Sequence, residues 1–484
     1  MNSKGRDRTQ TRTGGRPATE GVIQGRYALS VGMPALTPPG GWKWTPLSSV
    51  ARLETGHTPS RKHSEYWDGS IPWVGIRDAT ANHGTTIFDT QQHVTQLGID
   101  NSSARVLPAN TVCLSRTASV GYVVVMGVPM ATSQDFVNWV CSDAIDYRFL
   151  KYVLLSEHDS MLRFASGTTH QTIYFPEAKA FHVCLPSVAD QRKIADVLSA
   201  LDDRITLLRE TNTTLESIAQ ALFKSWFVDF DPVRAKQDGR APEGMDEATA
   251  ALFPDGFEES EYGAVPQGWC VATLNSICSE NGGTIQTGPF GSQLHASDYV
   301  TTGVPVVMPQ DLDGRRVGTA KIARITDADA ARLCRHQLQV GDIVFSRRGD
   351  VGRHALIGSS EAGWLCGTGC LLVRAGKKWP SSIYLSLALD RPSSKVWLLQ
   401  HAVGATMPNL NTGILGDVPI MRPDHRVLCA FDGVAKALDE RISHNHSQIA
   451  VLTGIRDTLL PRLISGQLRL PEAKELTSDV MTGT

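Results

Sequence analysis

The stretch QRKIADVLSALDDRITLLRETNTTLESIAQALFKSWF, residues 191–227, decides the fold of this chain. Its seam residues recur at alternating steps of four and three, and nine of the ten are apolar. Such spacing over about five heptads is typical of a helix packed along another helix. The seam consists of Ile194, Leu198, Leu201, Ile205, Leu208, Asn212, Leu215, Ala219, Leu222 and Trp226.

The partner helix lies in the same sequence, because a seam with identical spacing recurs near the C-terminus as Phe431, Ala435, Leu438, Ile442, Asn445, Ile449, Leu452, Arg456, Leu459 and Leu463. If the two helices run antiparallel with facing positions that sum to 657, Asn212 meets Asn445. Sliding by a heptad would leave each amide facing hydrocarbon, at about 1–3 kcal/mol per unsatisfied group. The asparagines are therefore candidate register-fixing residues. The alternative is that both amides reach solvent at the edge of the seam.

Composition describes an ordinary globular protein. The 484 residues are 41% hydrophobic and 20% charged, enough for two to four domains. No apolar run has the ~18 residues of a membrane span, so we expect no membrane association and a cytoplasmic location. The nine cysteines are scattered without a CxxC pair, and the net charge of -2 excludes indiscriminate coating of nucleic acid but not sequence-specific DNA binding.

The order of segments predicts an α+β fold in which two similar domains are separated by two long antiparallel coiled-coil helices with pseudo-twofold symmetry. TVCLSRTASVG (111–121) recurs as DIVFSRRGDVG (342–352), whereas other loops differ. The expected segments are a disordered extension (1–37), domain 1 (38–188), helix 1 (189–228), a linker (229–262), domain 2 (263–423), helix 2 (424–465) and a C-terminal tail (466–484).

This predicted symmetry matches DNA, whose half-sites on one face lie about 34–36 Å apart. A helix of some 37 residues spans ~55 Å, long enough to hold two reading domains over separate segments. Because the two domains differ in sequence, the expected target is bipartite and asymmetric.

Several motifs resemble the specificity subunits of type I restriction-modification systems. They are TGHTPS (55–60) and EYWDGSIPWV (65–74), TGPFGSQLHASDY (287–299) with GVPVV, FVDFDPVRAK in the linker, and LLPRLISGQL (459–468). The resemblance covers about 38–470 and implies a non-catalytic subunit with two target-recognition domains that read double-stranded DNA. It also implies two methyltransferase subunits docked on the helices, with restriction subunits recruited in the full complex. S-adenosylmethionine, ATP and Mg²⁺ would belong to those partners.

Polar residues in the predicted loops are the candidates for DNA contact, because Arg can read guanine or clamp phosphate and Gln can read adenine. Each is equally a candidate solvated loop side chain. They are Arg77, Arg116, His170, Gln171, Gln310, Arg347 and Arg348.

Two other classes of function remain open at this stage. Glu177 and Lys179 in PEAK, with Asp159 upstream, formally match a nuclease pattern, although three-letter matches arise readily by chance. A pure protein scaffold is the other alternative. The sequence shows no NPPY or DPPY element, no glycine-rich cofactor loop after a strand and no Walker A motif.

Overall fold

The computed structural model describes residues 21–117, 119–167, 171–319, 321–404 and 407–472. The chain divides into two compact units. Unit 1 comprises residues 1–207 and 449–484, and unit 2 comprises residues 208–448. Each unit therefore contains one mixed α/β domain and a segment of each long helix.

Unit 1 contains twelve strands among its described residues: β1 (Ile23–Gln24), β2 (Leu29–Val31), β3 (Lys43–Pro46), β4 (Ala51–Thr55), β5 (Trp67–Val74), β6 (Thr86–Ile87), β7 (His93–Val94), β8 (Val112–Ser115), β9 (Val123–Met126), β10 (Ala131–Thr132), β11 (Phe136–Cys141) and β12 (Phe181–Leu185). Its helices are α1 (Leu47–Val50), α2 (Ile76–Ala81), α3 (Gln96–Asp100), α4 (Tyr147–Ser156), α5 (His158–Phe164), α6 (Phe175–Lys179) and the first part of α7 (Val188–Phe227).

Three sheets form the domain of unit 1. The central sheet has the order β4-β11-β8-β9-β6 and is antiparallel except for the β6–β9 pair. A second sheet has the order β10-β5-β7, and a third has the order β1-β2-β12-β3. Strands β8, β9 and β11 lie in the short β-type runs of the sequence at 111–114, 122–125 and 136–140.

The expectation of a disordered extension over 1–37 is wrong for residues 23–31. Strand β2 is buried and pairs antiparallel with β12. The loop before it is held by Glu157, whose carboxylate accepts the backbone N–H groups of Arg26, Tyr27 and Ala28 at 2.6–2.8 Å. A polar composition gave no sign of this distant carboxylate. Residues 1–20 lie outside the described residues.

Unit 2 contains fourteen strands among its described residues: β13 (Phe257–Ser260), β14 (Gly263–Pro266), β15 (Cys270–Thr273), β16 (Thr284–Thr287), β17 (Tyr299–Val300), β18 (Val304–Val307), β19 (Leu312–Asp313), β20 (Arg316–Val317), β21 (Ala323–Ile325), β22 (Ile343–Ser346), β23 (His354–Leu356), β24 (Leu365–Cys366), β25 (Cys370–Arg374) and β26 (Pro419–Arg422). Its helices are the remainder of α7, α8 (Asp231–Gln237), α9 (Glu247–Ala250), α10 (Leu274–Glu280), α11 (Asp327–Arg332), α12 (Ser382–Asp390), α13 (Pro392–His401), α14 (Thr412–Gly416) and α15 (His425–Ile464), which continues into unit 1.

The sheets of unit 2 repeat the plan of unit 1 with changes. Sheet β16-β25-β22-β23 is antiparallel, sheet β17-β21-β18-β24 contains one parallel pair, and β15 pairs with β26 where β3 pairs with β12 in unit 1. The linker forms α8, α9 and the β13–β14 hairpin.

The ends of α7 and α15 in unit 2 pack on the domain itself. Phe223 and Phe227 are at most 5% exposed and lie in one cluster with Trp269, Tyr384 and Phe431. Burying each such ring contributes about 1.5–3 kcal/mol. The side chains of Phe223 and Phe227 are therefore part of the core of unit 2 and are not exposed for contact with another protein.

Helices α7 and α15 run antiparallel in unit 2. Trp226 contacts Phe431 at one end, and Asn212 contacts Asn445 further along both helices. Asn445 Nδ2 donates to Asn212 Oδ1 at 2.7 Å, and the numbers of both pairs sum to 657. This is the register that the sequence predicts, and the amides are buried rather than solvated, since Asn445 is 0% exposed.

A carboxylate on each long helix binds the domain of its own unit. In unit 1, Asp202 accepts hydrogen bonds from Tyr152 Oη at 2.7 Å and Arg456 Nη1 at 3.0 Å, and Lys151 Nζ lies 3.5 Å away. In unit 2, Asp439 occupies the equivalent position of the repeat and pairs with Arg316 of β20. The repeat position is therefore the same, whereas the partners differ.

Candidate nucleic-acid interface

Arg116 and Arg347 occupy equivalent backbone positions. Arg116 directly follows strand β8, and Arg347 directly follows strand β22. The N–H of Arg116 donates to Asp135 and its carbonyl accepts from Ile173. The N–H of Arg347 donates to Gly369 and its carbonyl accepts from Leu410. Each arginine is thus held between two loops, and the two units share one local frame.

The guanidinium groups of this arginine pair differ in environment. Arg116 Nε donates to the Gln134 carbonyl at 3.0 Å, and burial lowers the pKa of Arg116 although Asp135 opposes that shift. Arg347 Nε is buried and has no hydrogen-bond partner among the described residues. Arg348 beside it is exposed.

A second equivalent pair follows strands β5 and β18. In unit 1 the turn after β5 is closed by Asp78, which accepts the N–H of Gly75 at 2.9 Å, and it carries the exposed Arg77. In unit 2, Asp311 accepts the N–H of Met308 at 2.9 Å, and the same position carries the exposed Gln310. One frame therefore presents two different exposed polar side chains at the same position.

The structure brings several sequence candidates together within each unit. In unit 1, Arg77 lines a cleft of about 530 Å³ with Asp135, whose carbonyl binds Arg116. The exposed Gln171 precedes Thr172, and Thr172 Oγ1 lies 2.7 Å from Thr117 Oγ1. His170 lies outside the described residues.

In unit 2, Gln310 and Arg347 flank one glycine. Gly369 accepts the N–H of Arg347, and a Cβ on Gly369 would lie 3.4 Å from Pro309, the neighbour of Gln310. Arg348 forms a β-bridge with Asn409 on the far side of Arg347. Backbone contacts thus link the segments that carry the candidate residues of unit 2.

Sequence reasoning missed Arg61, which lines the cleft of unit 1. Its guanidinium carbon lies 3.6 Å from the Trp67 ring centroid and 5.3 Å from that of Trp73, and Nη2 donates to Gln92 Oε1 at 2.8 Å. The only sequence signal was an arginine at the end of TGHTPSR with two tryptophans close behind.

The geometry argues against the nuclease alternative. Glu177 in α6 is 0% exposed, whereas the side chain of Asp159 is 83% exposed and lies 3.8 Å from Arg26. A nuclease site would need both carboxylates on one accessible metal ion, whereas here one is buried and the other is exposed. Within the described ranges no group of three His, Cys, Asp or Glu side chains is arranged to hold a metal ion, and no described helix is both long and apolar enough for a membrane span.

The two units thus share one local backbone frame and carry different exposed side chains at the same positions. Comparison with known proteins shows what the chain is similar to. The family model described as the type I restriction modification DNA specificity domain matches residues 39–217.

Relatives extend this match over most of the chain. The type I restriction enzyme MjaIX specificity subunit of Methanocaldococcus jannaschii is 26% identical over 443 residues, covering 90% of this chain and 95% of the relative. The HindI specificity subunit of Haemophilus influenzae is 28% identical over 364 residues, covering 66% and 77%. Residues 39–217 thus match the DNA specificity domain of type I restriction-modification systems, and over most of its length the chain is similar to the specificity subunits of such systems.

A solved structure supports the fold. The crystal structure of the type I restriction-modification S subunit from M. genitalium has a TM-score of 0.56 at 16% identity, covering 88% of this chain and 97% of that one. This confirms the α+β domains with two long helices that the repeat predicted.

Proposed function

We propose that unit 1 and unit 2 each read one half of a bipartite, asymmetric DNA site. The observation that carries this proposal is the pair Arg77 and Gln310, which stand on the same Asp-closed turn in the two units. Arg pairs bidentately with guanine and Gln with adenine, so one frame with these two side chains favours two unlike half-sites.

The chain acts by positioning rather than by chemistry. Two methyltransferase subunits dock on α7 and α15, and restriction subunits join through them. S-adenosylmethionine, ATP and Mg²⁺ are bound by those partners. The carboxylates Asp202 and Asp439 support this role, because each ties a recognition domain to a long helix of its own unit and so limits the domain's rotation on that helix.

A domain exchange tests the proposal. Residues 21–187 are replaced by the corresponding domain of a relative with a different specificity, and the methylated sites are mapped by single-molecule sequencing. The exchange begins at 21 rather than 38 because β2 pairs with β12 inside the domain. One half of the methylated site should change, while the other half is retained.

The reciprocal control replaces residues 267–422 and should alter only the other half. A single substitution, Arg77→Gln, should shift the preference at one base pair from guanine towards adenine, by a factor of about 5 to 150 for one bidentate contact. Exchange of residues 21–187 that altered both halves would contradict independent reading. A complex that bound its methyltransferase subunits but ignored DNA sequence would point to the scaffold alternative instead.

A further inference from the structure

We infer that Arg61, held on Trp67 and Trp73, reads the guanine of a G·C base pair in the half-site of unit 1. The inference rests on the proposed function and deepens it by naming a base pair and the residue that selects it. It comes from the contact of the Arg61 guanidinium with the rings of Trp67 and Trp73. The aligned segment of unit 2 has other residues at these positions.

The Arg61 guanidinium is fixed before DNA arrives. It stacks 3.6 Å from the Trp67 ring centroid, and Trp67 meets Trp73 edge to face at 5.2 Å. Gln92 accepts from Nη2 at 2.8 Å, and its own carbonyl is held by the backbone N–H of Trp73. Because a free arginine side chain carries about 2 kcal/mol of rotamer entropy, such restraint before binding favours a bidentate contact.

The tryptophans also fix the loop that carries Arg61. Trp73 Nε1 donates to the His57 carbonyl at 3.1 Å, and Trp67 Nε1 donates to the Ser60 carbonyl at 3.3 Å. The backbone on the N-terminal side of Arg61 is therefore tied to the same two rings that hold its side chain. Such restraint suits a bidentate contact to a base edge, because less rotamer freedom is lost on binding.

The charges of the cleft favour a base pair over a phosphate. Arg61 and Arg77 line it together with Asp78 and Asp135. The two arginines and the two carboxylates balance in formal charge, so the cleft offers a phosphate no net attraction, and the carboxylates can accept a hydrogen bond from an amino group. In the major groove a G·C pair offers O6 and N7 acceptors on guanine and an N4 amino donor on cytosine. Arginine beside a carboxylate matches that combination.

The two carboxylates differ in what they already bind. Each oxygen of Asp78 accepts a backbone N–H, from Gly75 and from Gln91. Asp135 accepts the Ser133 hydroxyl at 3.1 Å through its Oδ2 atom. Asp135 is therefore the better placed acceptor for the cytosine amino group.

Unit 2 differs at each of these positions. Aligning TGHTPSR with TGPFGSQ places Gln293 where unit 1 has Arg61. Continuing the alignment places Tyr299 at the position of Trp67. Pairing IPWV (71–74) with VPVV (304–307), which requires one inserted residue in unit 2, places Val306 at the position of Trp73. The proposed guanine contact therefore belongs to one half-site only.

The test uses the complex of the full chain with its methyltransferase subunits and a DNA library with both half-sites randomised, read by single-molecule sequencing. Arg61→Lys should reduce preference for G·C at one position of one half-site by about 5- to 150-fold, since lysine keeps the charge but lacks the planar guanidinium fork that stacks on Trp67. Trp67→Leu should weaken preference at that same position. Arg105→Lys is the matched control, because Arg105 is an exposed arginine of unit 1 paired with Glu54 at 3.0 Å, outside the cleft. It should leave the motif unchanged.

Each outcome bears on one claim. A motif unchanged by both Arg61→Lys and Arg61→Ala overturns the guanine contact and leaves the two-half proposal intact. An even loss at every position, with the thermal midpoint unchanged, also overturns it and identifies Arg61 as a backbone contact. A wild-type complex that methylates without any bipartite motif refutes the proposed function itself.

Discussion

Replacing Asn212 with leucine should destabilise the helix pair of unit 2 more than replacing Asn445 does. After Asn212→Leu, Asn445 remains 0% exposed and loses its partner, and its Oδ1 already has none among the described residues. After Asn445→Leu, Asn212 is 7% exposed and retains a weak 3.5 Å hydrogen bond to the Ile442 carbonyl.

The expected loss of stability follows from the hydrogen bonds that each substitution leaves unsatisfied. An unsatisfied buried polar group costs about 1–3 kcal/mol, which corresponds to a factor of about 5 to 150 in local opening. Asn212→Leu leaves a whole amide unsatisfied, so it should lie at the upper end of this range. Asn445→Leu should lie at the lower end. The double substitution removes both amides and should recover most of the loss.

Amide hydrogen exchange over 208–224 and 430–448 measures this opening locally, which avoids assuming two-state unfolding of a chain with two units. Thr213→Ala is a suitable control, because its exposed hydroxyl donates to the Arg209 carbonyl of its own helix. The explanation would be refuted if the two single variants lost equal amounts of local stability. It would also be refuted if the double variant lost as much local stability as the two single variants added together.

Two further predictions concern buried titratable groups. Burial lowers the pKa of His354 from 6.5 to about 4; between these values the unfolded chain binds a proton that the folded chain does not. Stability of unit 2 should therefore be full above pH 6.5 and fall towards pH 4, by at most about 1.4 kcal/mol per pH unit. His354→Gln should flatten the dependence of the thermal midpoint between pH 7 and 5, and an unchanged slope would exclude His354 as its source. Glu157→Ala should leave the N–H groups of Tyr27 and Ala28 unsatisfied at about 1–3 kcal/mol each, while the N–H of Arg26 keeps its hydrogen bond to Ser160 Oγ. Exchange should therefore accelerate over 23–31, whereas the exposed Asp159→Ala should have little effect. Unaltered protection after Glu157→Ala would show that other contacts hold β2.

The long helices could be predicted because their information is local and periodic. Seam residues at alternating steps of four and three predicted both long helices, and the expected segments 189–228 and 424–465 lie within one residue of α7 and α15 at each end. The one polar amide in each seam predicted the register seen in unit 2. The helix starts repeat as well: Ser187 Oγ accepts the N–H of Asp190, and Asp424, at the equivalent position before α15, accepts the N–H of Arg426. Such caps depend only on neighbouring residues.

The missed features depend on contacts between distant residues. Glu157 is far along the chain from the segment that it holds, so a polar N-terminus looked disordered. Arg61 gains its role only when Trp67 and Trp73 fold back on its loop. Arg77 and Gln310 were both selected from the sequence, but their equivalence became visible only through the Asp-closed turns.

The spacing between equivalent positions shows which parts of the chain are constrained. The carboxylates Asp202 and Asp439 are as far apart in sequence as the seam positions of the two long helices are. The separation from Arg77 to Gln310 is shorter, and that from Arg116 to Arg347 is shorter again. Length changes are therefore confined to the recognition domains, where they alter the reading surface without moving the helix seam.

The contact between each recognition domain and its long helix shows the same contrast between a constant helix position and a variable domain. Asp202 binds Tyr152 while Asp439 binds Arg316, although the two carboxylates hold the same repeat position. Tyr152 lies in helix α4, whereas Arg316 lies in strand β20. A recognition domain thus carries its own partner for a fixed carboxylate, and this allows the reading surface to vary while its attachment to the helix is retained.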